Sequence, residues 1–225
     1  MATCWSGRAW TMSIRSLLDH HQRQVNRKAW SDLGGFADSL EKNGQLKTVS
    51  EAISPELEIT GLCHRSLVNG GPALAFERVN GHGMPVLGNL FGNEKRILMA
   101  LELDSRQELR ALGKQFAFLK NPELPDSIGK AIDAAPGFAR MAHVTPVHKT
   151  GAPWQENVTE GPDVDLGTLP ICTCWPGDAA PLVTWGLVIT QGPNKPRVNL
   201  AIYRLQLIGR NKLIMRWLAH RGGAL

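Results

Sequence analysis

The residues best equipped for chemistry lie in the last third of the chain. Cys172 and Cys174 stand in I-C-T-C-W, a spacing that can offer two thiolates to a metal such as zinc. No partner C-x-C and no close His follows. Period-two alternation sends both thiols to one face of a strand, so the structural reading is preferred. Beyond Asp178 the chain carries Lys195, Arg197, Arg204, Arg210, Lys212, Arg216 and Arg221, and no Asp or Glu. Such a surplus attracts phosphate, whether of a nucleotide cofactor or of nucleic acid, or else forms a solvated basic face. The widely shared motifs are missing: no G-x-G-x-x-G, no G-x-x-x-x-G-K-[ST], no G-x-S-x-G and no H-E-x-x-H. His20, His21, His64, His82, His143 and His148 read as ordinary surface or core hydrogen-bonders. Cys4 and Cys63 carry no usable signal.

The elements that must position these groups belong to an ordinary globular chain. It has 225 residues, 43% hydrophobic and 20% charged, with a formal net charge of +5. That is long enough to bury one or two cores. No apolar run is long enough to cross a bilayer. Arg8, Arg15 and Asp19 interrupt any secretory signal, and four cysteines make no disulfide framework, so a cytoplasmic setting is expected.

Residues 1–29 are rich in Arg, Gln and His and read as a flexible basic extension, whether a presequence or an overlong start upstream of Met12. Residues 30–121 read as an α/β domain. Ser31 is placed to cap a helix whose Leu33, Phe36 and Leu40 share a face, with Asn43-Gly44 as its stop. A second helix is predicted from Ser54, with Pro55 and Glu56 in its first turn, to Asn69-Gly70-Gly71. Ala73–Val79 and Met84–Leu90 read as strands split by the Asn80–Gly83 turn. Ser105 and Glu108 form a capping box for a helix with Leu109, Leu112, Phe116 and Leu119 on one side. Residues 122–153 read as a Pro-punctuated linker and residues 154–225 as mostly β. Leu182–Thr190 is closed by Gly192-Pro193, and Val198–Ile208 and Leu213–Leu218 form a hairpin about Gly209-Arg210-Asn211.

Two long stretches carry a resemblance. Thr173–Pro193, T-C-W-P-G-D-A-A-P-L-V-T-W-G-L-V-I-T-Q-G-P, and Asn199–Leu225, N-L-A-I-Y-R-L-Q-L-I-G-R-N-K-L-I-M-R-W-L-A-H-R-G-G-A-L, resemble the cofactor-binding core of the UbiD decarboxylases, notably the 4-hydroxy-3-polyprenylbenzoate decarboxylases of ubiquinone synthesis. The likeness extends back through G-G-P-A-L-A-F-E and M-P-V-L-G-N-L-F-G to about Trp30. It implies an α+β fold, with an N-terminal α/β domain followed by the first part of a β-rich, split-barrel-like domain that binds prenylated FMN. It further implies Asn199 and His220 as ligands of a divalent metal, Mn2+, a hard cation suited to an amide oxygen. Ile202, Tyr203, Arg204, Arg216, Trp217, Leu218, Arg221 and Gly222 match segments that hold the flavin, and the basic surplus becomes its phosphate clamp. Arg204 matches an arginine beside the substrate carboxylate, which orients the leaving group and tunes a neighbouring acid.

The implied activity is loss of carbon dioxide from an aromatic or unsaturated acid, with a flavin prenyltransferase supplying the cofactor, a homo-oligomeric assembly and no nucleic acid. A polyprenylated substrate would bring the protein to the periphery of a membrane. The sequence departs from the pattern at Ala201, where the family usually has Gly. The family's acidic metal ligand, its catalytic carboxylates and its C-terminal domain are expected beyond Leu225. The chain alone is therefore expected to be inactive and aggregation-prone, with a catalytically incomplete remnant or flavin-binding module as the alternative.

Overall fold

The computed structural model describes residues 30, 32–120, 150–151, 155–193 and 198–218, apart from the side chain of Leu119. The extension over residues 1–29, most of the linker, and Ser31 lie outside the described residues.

The N-terminal unit is a three-stranded sheet with helices on both faces. Its elements are α1 (Leu33–Lys42), β1 (Leu46–Val49), α2 (Glu58–Val68), β2 (Ala73–Phe76), β3 (Val86–Gly88), α3 (Glu94–Ala100) and α4 (Arg106–Lys120). The strand order is β1-β2-β3, with β1 parallel to β2 and β3 antiparallel to it. The parallel pair needs a crossover, which α2 provides. Central β2 is buried on both sides because alternate side chains enter different cores. Leu74 and Phe76 pack with Ile53, Ile59 and Val79, whereas Ala73 packs with Phe36 and Leu40.

Local chemistry explains the boundaries. Asp32, not Ser31, caps α1: its side chain accepts from the Gly35 amide at 2.7 Å, satisfying a donor the helix cannot. Gly44, at φ 66°, then turns the chain out of α1 as the Asn-Gly stop predicts. Phe36 and Leu40 are buried, but Leu33 is 55% exposed. The second helix starts at Glu58, four residues later than Ser54. Glu56 is taken by a parallel bridge to Thr173, and the Leu57 amide donates to the Thr173 carbonyl at 2.9 Å with Leu57 at φ 65°. A distant segment thus withholds those residues from the helix. The Ser105 hydroxyl does accept from the Glu108 amide, while the Glu108 carboxylate reaches the Asp104 amide. Phe116 on that helix is 62% exposed.

The second sheet is an antiparallel meander of β4 (Leu182–Gln191), β5 (Val198–Gly209) and β6 (Lys212–Met215). Gly209 pairs with Lys212 around Arg210-Asn211, the predicted hairpin. The Cys172-Thr173-Cys174 segment is not a strand; only Thr173 is bridged. A strap over residues 165–182 ties the sheets together. Beyond the Thr173 bridge, the Leu182 amide donates to Cys172, Leu207 to Pro181 and Leu166 to Arg210. Arg210 also pairs with Asp165 at 3.2 Å. Phe91 and Trp185 add a ring contact between the two sheets, with centroids 5.9 Å apart.

The two sheets differ in burial. Every fully buried residue among those described lies in the N-terminal unit. Trp185, Leu187, Ile189, Leu200 and Ile202 are each at least half exposed, although their alternation reads as a core face. Alternation creates an apolar face, but only a second layer buries it.

Candidate functional site

Strand pairing sorts the site residues before any ligand is considered. Directly opposed residues of an antiparallel pair share a face. Asn199, Ala201 and Tyr203 oppose Thr190, Val188 and Gly186, and these three β5 residues are half-buried. Val198, Leu200 and Ile202 oppose Gln191, Ile189 and Leu187 on the other, exposed face, which Arg204 continues.

Tyr203 meets Trp217, with ring centroids 5.3 Å apart, while Leu205 pairs with Met215. Arg204 and Arg216 fall between these two contacts, and both are exposed. By alternation Arg204 stands on the Ile202 side of β5, away from Tyr203, and Arg216 directly follows the last residue of β6. Neither has an acidic partner among the described residues. Arg210 differs: its bond to Asp165 ties down the strap, so one member of the basic surplus is structural.

Asn199 is half-buried, and its amide nitrogen donates to the Thr190 hydroxyl at 3.3 Å. That bond orients the amide and leaves its oxygen as the group able to meet a hard cation. Leu218 is 40% exposed. His220, Arg221 and Gly222 lie outside the described residues, and no cluster of three His, Cys, Asp or Glu suited to a metal occurs among the described ones. The resemblance therefore names one run of residues, and the sheet distributes them over two faces. Asn199, Tyr203 and Trp217 are reached from one side, Ile202 and Arg204 from the other.

Two groups were missed by sequence reasoning. Arg96 is fully buried, donating from Nε to Leu90 O at 3.0 Å, from Nη1 to Gly71 O at 2.9 Å and from Nη2 to Asn89 O at 3.1 Å. The available signal was its spacing from Met99 and Ala100 on the buried face of α3. Cys63 lines a cleft with Cys172 and Cys174. Burial, then the neighbouring Cys172 and Cys174 thiols, pushes the Cys63 thiol up from 9.0 to about 11. Burial and Cys174 likewise raise Cys172.

A thiol that keeps its proton longer in the folded chain contributes stability that is complete below the unfolded value. That contribution is lost as pH rises from about 9 through about 11. Iodoacetamide alkylation of Cys63 is expected to keep accelerating across that window, and a plateau reached by pH 9 would contradict the shift.

Comparison with known proteins follows the same division. Residues 37–116 match the family model described as the 3-octaprenyl-4-hydroxybenzoate carboxy-lyase N-terminal domain, and residues 145–225 match its Rift-related domain. Among solved structures, the chain is similar to an evolved dimeric form of the UbiD-class enzyme HmfF from Pelotomaculum thermopropionicum in complex with prFMN. That match has 28% identity and a TM-score of 0.64, over 83% of this chain and 38% of that one. It is also similar to the closed form of the vanillic acid decarboxylase of Sedimentibacter hydroxybenzoicus, with 26% identity and a TM-score of 0.67, over 85% and 38%. The chain thus spans less than two-fifths of the length of these two solved chains.

Proposed function

The chain belongs to the UbiD carboxy-lyases, since one family's two domain models match it in order over most of its length, and on that premise we propose that it forms the N-terminal and flavin-holding part of a prenylated-FMN-dependent decarboxylase. The observation that carries this reading is two exposed guanidiniums beside the Leu205–Met215 pair, Arg204 on β5 and Arg216 just past the end of β6, neither with an acidic partner among the described residues. Such a pair suits a phosphate or carboxylate.

In this reading residues 30–121 form the N-terminal domain and residues 154–225 begin the flavin domain, with residues 122–153 as the linker. Prenylated FMN, when bound, supplies the electron sink for departure of carbon dioxide. Asn199 offers its amide oxygen, and His220 its imidazole, to a divalent cation such as Mn2+. Arg204 orients the substrate carboxylate and favours the ionised form of a nearby acid. Arg216, with Arg221 and Gly222, holds the phosphate end, while Ile202 and Leu218 provide apolar surroundings and Tyr203 and Trp217 brace the strands from the face opposite Ile202.

The substrate class is an aromatic or unsaturated acid, with 4-hydroxy-3-polyprenylbenzoate of ubiquinone synthesis as the specific candidate. A flavin prenyltransferase supplies the cofactor and the working assembly is a homo-oligomer. Its setting is the cytoplasm, at a membrane's periphery where the substrate carries a polyprenyl chain; no helix among the described residues is long and apolar enough to cross one.

Titration of the purified chain with prenylated FMN and Mn2+ tests the clamp. Arg204→Ala and Arg216→Ala are each expected to weaken flavin binding about tenfold, corresponding to about 1.4 kcal/mol, and Asn199→Ala to remove its dependence on Mn2+. Unchanged affinity in both arginine variants would overturn the clamp. Tight, steeply salt-dependent binding to duplex DNA would instead assign the basic surplus to nucleic acid.

A further inference from the structure

A cleft of about 430 Å³ opens where α2, β3, the strap and β4 meet. Its volume lies within the range of small-molecule sites, about 300–1,000 Å³. None of its lining residues is Asp, Glu, Lys, Arg or His. The lining is mainly apolar, including Ile59, Leu87, Ile171, Leu182 and Trp185, with Cys63, Cys172 and Cys174 among them and Thr60 and Thr184 as its hydroxyl-bearing residues.

We propose that this cleft binds a small uncharged molecule with an aliphatic body and a single neutral polar end, such as a medium-chain alcohol. The chemistry of the lining selects that class. Transferring an aliphatic chain from water to these walls is favourable in proportion to the apolar area covered. A charged group entering the same space would lose hydration and find no opposite charge. The Cys63 thiol does not alter this selection, because burial keeps it protonated well above neutral pH. A hydroxyl end has Thr60 and Thr184 as exchangeable donor and acceptor partners.

The cleft's floor is anchored by the N-terminal core, since Cys63 and Cys172 pack against the cluster of Ile53, Ile59, Leu74, Phe76 and Val79. Its outer wall belongs to β4 and the strap, so the site exists only where the two sheets are joined. The proposal is independent of the flavin reading. No residue of the flavin and metal set lines the cleft, and the test needs no flavin.

The three thiols are built-in reporters. The chain is treated with N-ethylmaleimide, with and without 1-decanol, and alkylation at Cys63, Cys172 and Cys174 is followed by peptide mass spectrometry. Decanol is expected to slow modification of these thiols at least threefold, with decanoate and decyltrimethylammonium having little effect. Thr60→Trp and Thr184→Trp, two independent ways of filling the cleft, are each expected to abolish protection in folded protein. Leu200→Ser, on the exposed sheet face, is expected to preserve it. Absence of protection in the unmodified chain, equal protection by the charged analogues, or protection surviving in both tryptophan variants would overturn the proposal.

Discussion

Replacing Arg96 by Met is expected to cost about 3–5 kcal/mol of folding stability, a large share of the roughly 5–15 kcal/mol that a typical domain possesses. Met approximates the volume of the aliphatic stem but carries no donor. The guanidinium serves three carbonyls, those of Gly71, Asn89 and Leu90, which flank β3 and the entry to β2. Each carbonyl left buried without a donor bears a desolvation penalty of about 1–3 kcal/mol, partly relieved as the loops relax. Burial also lowers the guanidinium's pKa, a sign that the charge is held by carbonyl dipoles at a desolvation cost. Urea unfolding followed by circular dichroism measures the loss. Arg96→Lys should fall between wild type and Arg96→Met, because one ammonium cannot reproduce a fork spread over three acceptors. Arg106→Met provides the contrast. Its partner Glu94 is held below the usual carboxylate range first by the Arg106 hydrogen bond, but that pair is solvent-exposed and no comparable loss is expected. A midpoint for Arg96→Met equal to wild type would remove Arg96 from its proposed structural role.

Gly88→Ala is expected to destabilise the N-terminal unit by about 1–3 kcal/mol, the range for forcing an extra methyl against a neighbour already in place. A Cβ added at Gly88 would sit 2.2 Å from Cys63 Sγ and 3.6 Å from the Phe76 ring. The first distance is far inside van der Waals contact, so α2 and β3 must move apart or Cys63 must leave its place. Cys63→Ala in the same chain removes the obstructing sulfur, and the double variant should recover much of the loss. The coupling between these touching positions is read from a double-mutant cycle of urea midpoints. Additive single effects would mean that the two atoms do not collide in solution. The same contact explains why Cys63 was silent in the sequence: its sulfur fills a space that Gly88 leaves empty.

Much of the local architecture was legible. The Asn43-Gly44 stop, the Ser105 cap, the Arg210-Asn211 turn and the long alternating strands rest on interactions within a few residues, and such interactions are written into sequence spacing. The family was legible as well, because Thr173–Pro193 and Asn199–Leu225 keep long runs of its pattern. The later start of α2 was not legible, since Thr173, more than a hundred positions away, captures the backbone of Glu56 and Leu57. The buried role of Arg96 was hidden for a related reason: its partners are main-chain carbonyls, which carry no residue code.

The candidate site divides along the same line. Sequence alone supplied the residue types, an amide, arginines and aromatics, and the chemistry those types permit. Only strand pairing and the Tyr203–Trp217 contact decided that Asn199, with Tyr203 and Trp217, looks out from one face while Ile202 and Arg204 occupy the other. The fold also decided that Arg210 is tied to Asp165. Side chains adjacent in sequence diverge by the geometry of a pleated strand, and side chains far apart converge only when the sheet forms. The cleft required still more, since its walls come from α2, β3, the strap and β4; a space between elements has no sequence of its own.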